Sequence, residues 1–195
     1  MQVFKLDKAG HAIRRLRAHS RPVHVVRYPR ISDKLHLFSA GDDALLTYWD
    51  VPSETQLLTI PGAHKDYIRA GSTSPVSSEV IATGSYDHSV KVWDVRVSNN
   101  SSIVLNFDHG DPVESVLFLP SGGLIATAGG NCVKIWDVIG GGRLIHTMNH
   151  HNKTVTSMCL GRIGDENSGE SRILSVSIDG YLKSLILLLL RLLIQ

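Results

Sequence analysis

Four residue types that could do chemistry recur along this chain in fixed phase: a histidine, a hydroxyl residue, an aspartate and a tryptophan. The sets are His19, Ser39, Asp43 and Trp49; His64, Thr83, Asp87 and Trp93; His109, Thr127 and Trp136; and His151, Ser175 and Asp179. Histidine, serine and aspartate together can form a nucleophilic relay, in which imidazole takes the hydroxyl proton and the carboxylate orients the imidazole. Such a relay is built once, around one pocket. A set that returns unit after unit reads instead as a structural fastening, and no catalytic residue is assigned. The ten histidines offer no metal site, because none lies at ligand spacing with cysteines or carboxylates. His150 and His151 are neighbours that would point to opposite faces of a strand. Glycine runs at Gly129-Gly130 and Gly140–Gly142 lack the Lys-Ser/Thr or helix that would follow in a phosphate loop. No cofactor, metal or small-molecule substrate is implied.

The elements that must carry these residues are short strands. Ile81–Asp94 is an apolar run, a tight polar turn around Asp87, an alternating run through Val90 and Val92, and a closing Trp93-Asp94. The same ending stands at Trp49-Asp50 and Trp136-Asp137, spaced by about 44 residues. Within each unit the runs are apolar and β-branched, as half-buried antiparallel sheet demands. Gly- or Ser-rich turns such as Ser121-Gly122-Gly123 separate them. A repeat of this length with Trp-Asp endings resembles the WD40-repeat family, in which each unit makes one four-stranded propeller blade. The resemblance implies that the four phased residue types are hydrogen-bonded within each blade. Physical chemistry supplies a reason: a buried indole N–H requires an acceptor. A hydroxyl, an imidazole and a turn carboxylate can pass that demand outward, so no buried polar group goes unpaired.

The expected fold is all-β, a partial WD40 β-propeller of about four blades out of an expected seven. Residues 1–18 read as the end of a preceding blade and its outer strand. Residues 19–62, 63–107 and 108–149 are whole repeats, and 150–184 an incomplete one. Residues 185–195 form a Leu-rich tail that departs from the pattern, with Leu185-Ile186 standing where Trp-Asp is expected. The third unit has a shorter turn, Gly129-Gly130-Asn131, without the aspartate, and should be less firmly fastened there. Because an unclosed arc leaves sheet edges unpaired, the chain is expected to be a fragment of a longer protein or a truncated product.

Composition adds little constraint. The 195 residues carry a formal net charge of +2, which by itself says nothing about nucleic acid. Cys132 and Cys159 fall inside predicted strands and read as small buried hydrophobes in a reducing compartment. The N-terminus lacks the apolar stretch of a secretion signal. Its Leu-rich counterpart at the other end is about half the length that spans a bilayer, so no membrane segment is assigned. The loop at 164–170 is polar and longer than its counterparts.

Binding on a propeller falls to exposed loops rather than to the scaffold. Beside the phased His and Asp residues lie Arg21, Tyr67, Arg69, Tyr86, Glu114 and Lys153, a candidate partner face. Aromatic and arginine side chains are favoured interface anchors; each residue taken alone also fits plain loop decoration. The first 36 residues hold nine Lys and Arg against Asp7 and Asp33. Arg14, Arg15 and Arg17 in that cluster could track RNA phosphates. They equally fit solvated charges that protect an outer strand.

Beyond the generic pattern, three stretches are particular. They are His109–Leu124 with Val133–Asp137, Thr83–Lys91, and Asn149–Thr156. Together they resemble the U3 small nucleolar RNA-associated WD-repeat family of the small-subunit processome, over roughly residues 1–184. That resemblance implies a non-enzymatic nucleolar scaffold in a processome subcomplex, supporting processing toward 18S rRNA and transcription of rRNA. It implies other processome proteins as partners, with U3 small nucleolar RNA or pre-rRNA contact secondary. The family's helical C-terminal domain has no counterpart in this sequence. The alternative is a WD40 substrate receptor of a ubiquitin ligase, reading a short motif with residues such as Arg69 and Tyr86.

Overall fold

Alternation of Val, Ile and Leu with small or polar residues gives strands, and the described residues contain strands and turns without a helix. The computed structural model describes residues 2–4, 12–29, 31–97, 102–163 and 170–186, with backbone alone at 2–4, 12–14, 163, 170 and 186. Most of the loop read at 164–170 and of the tail read at 185–195 lies outside them. Strands β1 (Gln2–Phe4) and β2 (Ala12–Arg15) pair as a two-stranded sheet. Strands β3 (Val23–Arg27), β4 (His36–Gly41), β5 (Leu46–Asp50) and β6 (Thr55–Ile60) form a four-stranded antiparallel meander. The meander repeats in β7 (Ile68–Thr73), β8 (Val80–Ser85), β9 (Ser89–Asp94) and β10 (Ile103–Asp108). It repeats again in β11 (Val113–Phe118), β12 (Leu124–Gly129), β13 (Cys132–Asp137) and β14 (Arg143–Met148). A fourth sheet has three strands, β15 (Val155–Ile163), β16 (Glu170–Ser177) and β17 (Leu182–Ile186).

The first strands of consecutive sheets, β3, β7, β11 and β15, lie side by side. The sheets therefore radiate as blades of an open propeller. Neighbouring inner strands are joined by side chains that reach backbone groups the ladders leave free. Arg27 Nε donates to the Gly71 carbonyl at 2.9 Å, Ser72 Oγ accepts from the Phe118 amide at 3.0 Å, and Ser115 Oγ accepts from the Met158 amide at 3.2 Å. Each inner strand also carries a bulge at its start, leaving His24, Arg69, Glu114 and Thr156 without a cross-strand partner. A bulge re-aims a side chain, and here it does so at one position in four successive blades.

Apolar clusters fill the space between blades. One runs from Val25, Phe38 and Ala40 to Ile68, Ile81 and Trp93. The next runs from Ala82, Val90 and Val92 to Val116, Phe118 and Trp136, and a third from Ala126, Ala128 and Ile135 to Val155, Met158 and Ile173. Register explains the odd fourth unit: Trp49, Trp93 and Trp136 face Leu37, Ile81 and Ile125, and Leu185 faces Ile173 in the same way. Leucine fills the tryptophan position without its N–H. The cysteines part company. Cys132 is buried, whereas Cys159 is exposed, contrary to its expected burial. Met158 faces the third blade, while Cys159 alternates to the side of β15 that no other described sheet covers.

Small residues let the blades approach. A Cβ on Gly84 would sit within contact-breaking distance of Val113 and Val116 across the interface. Gly84→Ala should therefore destabilise the chain by about 1–3 kcal/mol through overpacking. The double variant Gly84→Ala/Val113→Ala should lose less than the two single losses combined. Urea unfolding followed by circular dichroism measures both; strict additivity would mean the two residues do not compete for that space.

Candidate functional site

In the first blade, Trp49 Nε1 donates to Ser39 Oγ at 2.8 Å, and Ser39 Oγ meets His19 Nε2 at 2.8 Å. His19 Nδ1 lies 3.0 Å from Asp43 Oδ1, and the Ser20 amide donates to Asp43 Oδ2 at 2.9 Å. The second blade repeats this: Trp93 to Thr83 at 2.8 Å, Thr83 to His64 Nε2 at 2.7 Å, and the Lys65 amide to Asp87 at 2.8 Å. Donor counting orders the chain. A hydroxyl that accepts from indole has its own proton left for Nε2, so the imidazole proton sits on Nδ1 and faces the carboxylate. The fourth blade keeps His151 between Ser175 at 2.9 Å and Asp179 at 3.0 Å, with the Asn152 amide on Asp179 at 2.9 Å.

The third blade solves the missing aspartate by turning the ring over. His109 Nδ1 meets Thr127 Oγ1 at 2.9 Å, and Nε2 donates to the Gly129 carbonyl at 3.2 Å. Trp136 still donates to Thr127, at 2.7 Å. The amide after the histidine, on Gly110, finds Asp108 Oδ1 at 2.8 Å instead of a turn carboxylate. Two roles of the absent aspartate, accepting from the imidazole and from the amide after it, are thus filled by nearby oxygens. Ser39, Thr83 and Thr127 are all buried, with proton and lone pair committed to neighbours. Buried between indole and imidazole, these hydroxyls are closed off from solvent.

The turns these fastenings hold carry a second cluster, and it spans three blades. Arg69, the bulged residue of β7, lies with its guanidinium 5.8 Å from the Tyr67 ring centre and 5.3 Å from that of Tyr86. Its Nη1 donates to His24 Nδ1 at 3.3 Å, and its Nε is 3.5 Å from Asp42 Oδ1. His24 Nε2 stands 3.0 Å from the same carboxylate oxygen. The Tyr86 hydroxyl donates to Glu114 Oε1 at 2.5 Å. That bond, then burial, then the Glu114 charge, push the phenol above its ordinary pKa. Cation, aromatic rings and carboxylates hold one another in place, with Tyr67 still 37% exposed and the Arg69 side chain 31%. This is a fixed, half-open polar surface suited to contact with another macromolecule.

Four of the six partner-face residues, Tyr67, Arg69, Tyr86 and Glu114, meet in this cluster. Arg21 and Lys153 are exposed and take no described side-chain part in it. Sequence reasoning missed His24 and Asp42. The signal for His24 was its place one repeat before Arg69 at the start of the inner strand. Of the proposed RNA-contacting residues, Arg15 and Arg17 are exposed on either side of buried Leu16, which packs with Leu37, Trp49 and Val51. The Arg14 side chain lies outside the described residues. Among the described residues no three His, Cys, Asp or Glu form a metal-holding group, and no helix is long and apolar enough to cross a membrane.

Two predictions test the fastening. Thr83→Val removes the acceptor of Trp93 and the donor to His64 together, so it should cost about 2–3 kcal/mol in urea unfolding; a loss below about 0.5 kcal/mol would show the network idle. Acid should act in two stages. Burial holds His64 and His109 neutral and lowers both below the ordinary 6.5. Burial opposes ionisation of Asp43, Asp87 and Asp179, but hydrogen bonds from the facing histidines and turn amides outweigh it and lower all three below 3.8. Both kinds of group have folded values below unfolded ones, so their stability is complete above the unfolded pKa and lost as pH falls through the folded one. The urea midpoint should drop below pH 6.5 as the unfolded histidines charge, and again below 3.8. A flat profile between pH 7 and 5 would contradict the first stage.

Comparison with known proteins agrees with this architecture. The family described as WD domain, G-beta repeat matches residues 55–94 and 101–137. Protein SLOW WALKER 1 of Arabidopsis thaliana is 54% identical over 183 residues, 94% of this chain and 33% of that protein. The U3 small nucleolar RNA-associated protein 15 homolog of Xenopus tropicalis is 43% identical over the same shares. The chain thus spans about one third of the length of these curated relatives. A chain from a crystal structure of the mitotic checkpoint complex superposes with a TM-score of 0.76 at 25% identity, over 92% of this chain and 53% of that one. With Trp-Asp endings, radial four-stranded blades and relatives this similar, the chain is a partial WD40-repeat β-propeller similar to U3 small nucleolar RNA-associated protein 15 homologs.

Proposed function

We propose that this chain is a non-enzymatic scaffold of ribosome biogenesis, acting in the nucleolus within a small-subunit processome subcomplex. In this reading it supports processing of pre-rRNA toward 18S rRNA and transcription of rRNA. The observation that carries it is the 43–54% identity, over 94% of the chain, to relatives that include a U3 small nucleolar RNA-associated protein 15 homolog. The non-enzymatic part is supported by the recurrence of the set from blade to blade and by the burial of its hydroxyls, three of them capped by indole. Other processome proteins dock on the cluster around Arg69 and Tyr86. Contact with U3 small nucleolar RNA or pre-rRNA falls to Arg14, Arg15 and Arg17.

The experiment is affinity purification of the tagged chain from cells, wild type beside Arg69→Ala/Tyr86→Ala, with recovered proteins quantified by mass spectrometry. Processome proteins should dominate the wild-type sample and fall about tenfold with the variant, as removal of interface anchors does. Recovery of cullin-type ligase subunits without ribosome-assembly factors would overturn the scaffold reading and favour a substrate receptor.

A further inference from the structure

One carboxylate in the cluster around Arg69 has no cation of its own. Glu114 is the residue that the bulge at the start of β11 leaves without a cross-strand partner, and its side chain reaches Tyr86 in the β8–β9 turn. It is half-buried, and its one hydrogen bond among the described residues is the one that Oε1 accepts from the Tyr86 hydroxyl. A neutral donor satisfies one oxygen without neutralising the carboxylate. Asp42, Asp43 and Asp87, by contrast, each face a histidine, and Asp42 also faces Arg69. Arg69 does not make up the difference for Glu114, because its Nη1 and Nε are turned to His24 and Asp42. A guanidinium only donates, so the His24 Nδ1 that meets it is an acceptor and the imidazole is neutral. Asp42 and Glu114 therefore leave the cluster one negative charge in excess of Arg69.

We propose that Glu114 receives an arginine side chain of the protein partner, an assignment that rests on the docking of partners at this cluster. The charge excess selects a cation; an incoming Asp or Glu would add a third carboxylate to the cluster. The rings select its shape. Tyr67 and Tyr86 stand with ring centres 6.4 Å apart and planes tilted by 43°, and Tyr67 is 37% exposed. A guanidinium is flat and carries its donors as a fork, so it sets N–H groups on a carboxylate while its face lies on an aromatic ring. Lysine would bring the charge without the fork or the flat face. The Tyr86 bond holds the Glu114 carboxylate in place before the partner arrives, which lowers the ordering cost of association. Docking then gives a half-buried charge the counter-charge that its own chain withholds.

Two-dimensional NMR of the full chain, titrated with N-acetyl-arginine amide, tests this chemistry. N-acetyl-citrulline amide serves as the neutral isostere and N-acetyl-glutamate amide as the opposite charge. The arginine probe should shift the signals of Tyr67, Tyr86 and Glu114 saturably, and the other two should not. Glu114→Gln keeps an oxygen for the Tyr86 hydroxyl and removes the charge. It should weaken the arginine probe by about tenfold while the rest of the spectrum stays native. Equal shifts from arginine and citrulline, or a stronger response to glutamate, would overturn the proposal in the wild type alone. So would an arginine response indifferent to Glu114→Gln. Affinity purification with the same variant separates this outcome from failure of the docking itself. Partners lost with Arg69→Ala/Tyr86→Ala but kept with Glu114→Gln would leave the face a docking site and remove the role of Glu114. Partners kept by both variants would remove the face as well.

Discussion

An indole buried between blades has one N–H and no water to receive it. Leaving it unmatched costs about 1–3 kcal/mol, a large share of a domain's net stability. This constraint organises the molecule. The acceptor must sit on the neighbouring strand, so Ser39, Thr83 and Thr127 stand nearly opposite their tryptophans. A hydroxyl that accepts must also donate, which calls an imidazole into the interior, and the imidazole in turn needs a carboxylate or carbonyl. By that sequence of demands a core residue dictates the conformation of an exposed turn several residues away. Ala44 and His88 at those turns adopt positive φ of 55° and 69°, which the capping aspartates beside them hold in place.

Rigid turns matter because the polar face is built on them. Asp42 precedes the fastening aspartate, Tyr86 precedes Asp87, and Arg69 and Glu114 issue from bulges just after the fastening histidines. Their mutual contacts are therefore set before any partner arrives, and little side-chain freedom remains to be lost on association. The same geometry separates the two kinds of function a propeller can have. Its repeated polar sets are inward and saturated, while its variable residues are outward and only partly engaged.

Much of this was legible in the chain itself. The phased His, Ser/Thr, Asp and Trp placed the strands and their pairing, because periodic burial and hydrogen-bond need leave few other arrangements. The reversed ring of His109 was not legible, since nothing in residue spacing says that the Gly129 carbonyl would be within reach. Cys159 was misread because its surroundings in sequence are those of a core strand. Burial there depends on whether another sheet stands alongside, which no local pattern encodes. The cluster around Arg69 was half visible: its residue types stood out, but the partnership of His24 with Asp42 across blades is a consequence of bulge geometry.

Leucine in place of the fourth tryptophan has a spectroscopic consequence. All three tryptophans of the chain lie in the first three blades. Intrinsic indole emission therefore reports on those blades only, and the sheet β15–β17 contributes no signal of its own. If that sheet opened first, the emission trace would stay native-like while backbone dichroism already declined. Disagreement between the two probes would then reveal stepwise fraying from one end of the arc, where a closed ring of identical fastenings would yield all at once.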